Sequence, residues 1–126
     1  MWASMNIFSW PNLGATPLPV LNNGVTCQFA GHQYIAPLDT EEDRERFRSI
    51  FVQDALDLIE FCNGSVDSKW GSLRAEMGHP EPFGLKYLGI GNENRGNAFW
   101  ERFGIIYNAV KEKHPEITII STSGAF

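Results

Sequence analysis

Leu85-Lys86-Tyr87-Leu88-Gly89-Ile90-Gly91-Asn92-Glu93-Asn94-Arg95-Gly96 decides how this chain is read. An apolar run, Leu85 to Ile90, leads directly into a loop of glycines and amides, and a helical pattern begins near Asn97. A short continuous apolar run bounded by glycine is what a buried parallel strand presents. A carboxylate placed immediately after such a strand lies on the rim of the sheet, where α/β enzymes and barrels carry their catalytic groups.

The flanking sequence repeats the strand-then-helix alternation. Upstream, Thr16-Pro17-Leu18-Pro19-Val20-Leu21 ends in the turn signal Asn22-Asn23-Gly24, and its prolines place the strand late in that run or at an edge. A loop through Gly31 and Pro37 follows, and Asp39 with Glu42 three residues on predicts a capping box. Phe47, Ile50, Phe51, Leu58, Ile59 and Cys62 then recur at helical steps, with a break expected near Val52 and a stop at Asn63-Gly64. From Ser65 to Phe83 no period is visible, and Gly71, Gly78, Pro80 and Pro82 predict a long loop, a type of segment that is often functional. Downstream, Phe99, Phe103, Ile106, Tyr107 and Val110 mark one helix face, which Trp100 borders. Lys111, Lys113 and His114 suit the negative end of that helix, and Pro115 ends it. Ile117-Thr118-Ile119-Ile120 is the third strand. Strands linked by helices imply an α/β fold with parallel strands and right-handed crossovers, which a barrel segment and an open sheet both satisfy.

Composition excludes several classes. A net charge of −5 with no Lys/Arg-rich stripe argues against binding nucleic acid. No apolar run approaches the roughly 20 residues of a membrane span, and the first 30 residues show no signal-peptide pattern; the cellular location stays open. Cys27 and Cys62 read as small buried side chains rather than a disulfide framework. No pair of ligands stands at metal spacing, so His79 reads as a loop hydrogen-bonder, and neither a metal nor another cofactor is expected.

Three readings compete for residues 89–96. Gly89 and Gly91 suggest a phosphate cradle, but the dinucleotide fingerprint needs glycine at 94, where Asn94 stands, and Glu93 would repel a pyrophosphate. A structural reading makes Glu93 a carboxylate favoured at a helix N-terminus and the glycines turn residues. The catalytic reading makes Glu93 a general acid/base for cleaving a glycosidic bond, with the Asn92 amide giving a polyhydroxylated ligand a donor and an acceptor.

Gly91-Asn92-Glu93 at a strand end resembles the acid/base motif of retaining glycosidases built on (β/α)8 barrels. The resemblance extends through Asp54-Ala55-Leu56-Asp57-Leu58-Ile59-Glu60-Phe61-Cys62-Asn63-Gly64, Ser68-Lys69-Trp70-Gly71 and Arg74-Ala75-Glu76-Met77-Gly78-His79-Pro80-Glu81-Pro82-Phe83. Together these are similar to the α-L-arabinofuranosidases of glycoside hydrolase family 51, over roughly residues 14–124. The resemblance implies a partial (β/α)8 TIM barrel, about its third to fifth strands, with residues 14–126 the barrel segment and residues 1–13 a poorly matching N-terminal stretch. It implies that Glu93 is the acid/base and that Asn92 bonds the 2-hydroxyl of an arabinofuranosyl unit. Asn22, on the same rim, is a further candidate sugar contact.

The implied activity is retaining removal of non-reducing terminal α-L-arabinofuranosyl groups from arabinan, arabinoxylan or arabino-oligosaccharides, with an oligomeric parent enzyme possible from the resemblance. The nucleophile such enzymes carry at the seventh strand is not in this chain. A complete barrel takes roughly 250 residues, so 126 residues read as a cut-out piece, inactive alone, with a truncated remnant or non-catalytic sugar-binding piece as the alternative. Asp67, Glu76 and Glu81 precede the strand and are expected at the opposite end of the sheet. Arg74 and Glu76 are expected to brace the loop or the surface as ion pairs, Trp70 to anchor the loop by packing, and His32 to lie on the active rim. Arg95 departs from the family pattern just after the motif.

Overall fold

The computed structural model describes residues 14–26 and 34–121. Three strands, β1 (Val20–Leu21), β2 (Tyr87–Ile90) and β3 (Thr118–Ser121), form a parallel sheet in that order with β2 central. The prolines delay β1 to the last two residues of its apolar run, as a missing donor requires. Helices α1 (Glu41–Phe47) and α2 (Gln53–Asn63), then α3 (Lys69–Glu76), cross from β1 to β2. Helix α4 (Asn97–Lys113) crosses from β2 to β3.

Leu88 and Ile90 of β2 point into the main core, joined by Leu58, Ile59 and Cys62 from α2, Ile106 and Val110 from α4, and Ile117 ahead of β3. Burial pushes the Cys62 thiol up to about 12, against a modest lowering by the nearby Arg74 guanidinium. Because strand side chains alternate, Val20, Tyr87 and Ile120 lie on the other face, where they are 50%, 38% and 38% exposed. One face of the sheet is therefore packed and the other is bare among the described residues.

Five expectations from the sequence are corrected. The capping box lies one residue later than expected: the Thr40 hydroxyl accepts from the Asp43 N–H, and the Asp43 carboxylate accepts from the Thr40 N–H at 3.1 Å. No break occurs near Val52. Instead Arg48–Val52 widens into a π-helical turn that joins α1 to α2 with helical backbone at both junctions. The expected loop from Ser65 to Phe83 contains α3, whose first turn is capped by the Ser68 hydroxyl accepting from the Gly71 N–H at 3.1 Å. Gly71 is needed there because a Cβ would fall 1.9 Å from the Ser65 carbonyl oxygen.

Arg74 does not pair with Glu76. It is fully buried, and its guanidinium donates to the carbonyls of His79 (2.9 Å), Phe61 (2.8 Å) and Pro80 (3.0 Å). The loop is braced, but by neutral acceptors. Trp100 is not on the buried edge of α4: it is half exposed, stacked edge-on against Phe99 and Phe103. Trp70 is half-buried against the core with the Lys69 ammonium 4.4 Å from its ring, the packed anchor expected.

Candidate active site

The site grows out of the end of β2. The ladder to β1 continues one residue past the strand, with Gly91 N–H donating to Leu21 C=O at 2.8 Å. The chain then turns sharply. Gly91 has φ +81° and Glu93 has φ +52°, the one non-glycine residue at positive φ among those described. A carboxylate-bearing residue in the left-handed region costs roughly 1–3 kcal/mol and persists where its surroundings over-determine it. Gly96, φ +83°, then opens α4.

What surrounds Glu93 is an amide network. Asn94 is buried, and its Oδ1 accepts from the Asn92 N–H at 2.8 Å. Its Nδ2 donates to Val25 C=O at 3.1 Å and Thr26 C=O at 3.4 Å, on the loop that follows β1. Gly91 makes room for this side chain, since a Cβ there would lie 2.7 Å from both Asn94 Oδ1 and Phe99 Cε2. The two rim loops are thus joined by one side chain.

The β1 loop is itself fixed from three directions. Asn22 Oδ1 accepts from the Gly24 N–H at 2.8 Å and Asn23 Oδ1 from the Val25 N–H at 3.3 Å, Asx turns that fold the chain off the strand. Val25 bridges Ile35, and Ala36 N–H donates to Gly24 C=O at 2.7 Å. The buried Arg102 of α4 donates through Nε to Ala36 C=O at 2.8 Å. Asn23 is wholly buried, and its Nδ2 meets no partner among the described residues.

Glu93, Asn92 and Asn22 are all exposed, and all follow strand C-termini, so the parallel sheet puts them on one rim. Asp67, Glu76 and Glu81 precede β2 and belong to the other end of the sheet, as does His79. His32 and Cys27 lie outside the described residues. Among the described residues no three of His, Cys, Asp and Glu gather as metal ligands, and no helix is long and apolar enough to cross a membrane. The sequence reading missed Asn94, Asn23 and Arg102. The turn signal at 22–24 was the only trace of the second of these.

A parallel sheet with crossover helices on one face, bearing an exposed carboxylate at the end of its central strand, is a segment of an α/β fold consistent with part of a barrel. The family model described as the α-L-arabinofuranosidase 1 domain matches residues 6–126, and the chain belongs to that family, the α-L-arabinofuranosidases of glycoside hydrolase family 51. It is 45% identical over 114 residues to an extracellular exo-α-L-arabinofuranosidase of Streptomyces chartreusis, which covers 90% of the chain and 13% of that protein. It is 40% identical over 117 residues to α-L-arabinofuranosidase 2 of Arabidopsis thaliana, covering 90% of the chain and 15% of the relative. An arabinose-bound family 51 α-L-arabinofuranosidase superposes with a TM-score of 0.70 at 26% identity, over 96% of this chain and 18% of that one. The chain spans about one-seventh of the length of the curated relatives.

Proposed function

We propose that these residues form part of the catalytic barrel of a retaining α-L-arabinofuranosidase, contributing its third to fifth strands, and that Glu93 is the general acid/base. The observation that carries the reading is the placement of Glu93: exposed, at the C-terminal end of the central parallel strand, in a chain of this family. In the first step Glu93 donates its proton to the leaving oxygen as a second carboxylate attacks the anomeric carbon. In the second it removes a proton from water, which displaces that carboxylate. Asn92, beside it, hydrogen-bonds the arabinofuranosyl 2-hydroxyl, and Asn22 contacts the sugar from the neighbouring strand. The substrates are arabinan, arabinoxylan or arabino-oligosaccharides carrying terminal α-L-arabinofuranosyl groups, and no metal or cofactor takes part.

The second carboxyl must stand about 5–5.5 Å from the first. Here β1 runs into Asn22-Asn23-Gly24 and β3 into Thr122-Ser123-Gly124, so neither flanking strand end offers one. We assign it to a part of the catalytic domain outside these 126 residues.

Glu93→Gln in the enzyme carrying the whole domain is expected to lower kcat/KM most for aryl arabinofuranosides with poor leaving groups, by about 100-fold or more. Equal loss across the leaving-group series would remove Glu93 from the acid/base role. The bare sheet face and the single strand-end carboxylate also favour a second reading for the 126 residues alone, a piece that binds sugar without cleaving it. Calorimetric titration with arabino-oligosaccharides tests it: heat of binding without product supports it, and no heat ends it.

A further inference from the structure

We infer that Asn94 is a positioning residue for the Asn92–Glu93 pair, acting as a clamp that ties the acid/base turn to the loop after β1; the inference rests on the function proposed above. Three observations converge on it. Glu93 occupies the left-handed region at φ +52°, a conformation a glutamate abandons unless the turn is held from both sides. Asn94 supplies that hold. Its Oδ1 receives the Asn92 N–H at 2.8 Å on the near side, and its Nδ2 reaches two carbonyls of the β1 loop, Val25 and Thr26, on the far side. The sequence keeps space for the clamp, because at Gly91 any Cβ would meet the same Oδ1 at 2.7 Å.

Asn94 is 2% exposed. It does not face solvent as its neighbours Asn92 and Glu93 do, so its amide serves the turn and not the sugar. Removing it frees Asn92 N–H and lets Glu93 relax toward an ordinary backbone conformation, which moves the carboxyl away from the leaving oxygen. An acid displaced by about 1 Å loses on the order of 100-fold in rate. The loss falls on proton donation, because the nucleophile is supplied elsewhere.

The test uses the enzyme carrying the whole catalytic domain, with Asn94→Leu, which keeps the shape and removes both polar atoms, and Asn94→Ala, which adds no bulk should the leucine variant fail to fold. Glu93→Gln is the reference. Rates on aryl α-L-arabinofuranosides of graded leaving-group acidity are compared per folded molecule, as judged by circular dichroism. The expected result is a steeper dependence of kcat/KM on leaving group in both Asn94 variants, with a loss of about 10- to 100-fold on the poorest leaving group and little on the best. Partial unfolding scales every substrate equally and cannot steepen that dependence. An unaltered slope in the Asn94 variants, beside a steepened one in Glu93→Gln, overturns the clamp and leaves the acid/base assignment standing. A wild-type enzyme that does not hydrolyse arabinofuranosides overturns both.

Discussion

Arg74 shows how one residue holds the approach to the site strand. Its guanidinium occupies a buried position between α2 and the segment before β2, satisfying the Phe61, His79 and Pro80 carbonyls together. A fork of N–H donors can serve three acceptors at once, whereas an ammonium on a flexible stem cannot match that geometry. Arg74→Met leaves those carbonyls dry and unpaired, and is expected to lower stability by about 3 kcal/mol in urea denaturation. An unchanged midpoint would mean that water replaces the guanidinium at no cost. The same scale separates what sequence can and cannot tell. The rim position of Glu93 and Asn92 was legible because their place after an apolar run fixes it. Asn94 was not, since the letter that marks a solvent-facing amide also marks a buried brace, and only a partner 69 residues away distinguishes them.

Among the elements, α4 declares itself by period, because Phe99, Ile106 and Val110 bury one apolar face, whereas the outer strands were legible only as short apolar runs. Helix α3 gives no such signal. The residues it buries are Gly71 and Arg74, a close backbone approach and a guanidinium, so nothing apolar repeats. Its start is marked by Ser68, whose hydroxyl caps the first turn. Ser68→Ala is expected to cost about 1 kcal/mol, read as a lowered urea midpoint. The π-helical turn was half legible: something interrupts the helix near Val52, but the chain absorbs it by widening instead of breaking.

Helix α1 carries a pH signature. Hydrogen bonds from Thr40, side chain and backbone, hold the Asp43 carboxyl below its ordinary value. A carboxyl lowered in the folded state contributes stability above the unfolded value of 3.8 and loses it as pH falls through the folded one. Asp43→Asn is therefore expected to lower the neutral plateau of a stability–pH curve and to flatten its acid limb, so that variant and wild type converge below about pH 4. Circular dichroism melts from pH 2.5 to 7, on wild type and variant side by side, would read this, and identical acid limbs would rule it out.

At the scale of the molecule, the sheet has a packed face and a bare one, with β1 and β3 both presenting unpaired edges among the described residues. Sequence order predicted parallel strands and helical crossovers, but the bareness of one face depends on how strands stack in space, which no local pattern encodes. Apolar side chains at Val20, Tyr87 and Ile120 beside open edges favour association. The 126-residue chain expressed alone is therefore expected to sediment above its monomer mass of 14.2 kDa and to bind a hydrophobic dye. A monomer without dye binding would show that this face tolerates water.

The wholly buried Cys62 thiol gives a clock for the same molecule. Thiolate is the reacting form, so a sulfhydryl shielded by the core reacts with a chromogenic disulfide reagent only when α2 leaves the sheet. With the labelled peptide identified by mass spectrometry, the rate of modification at that sulfur times the opening of the layer on which the Glu93 strand rests. Repeating the measurement with arabinose present would tell whether occupancy of the rim is felt on the far side of the sheet.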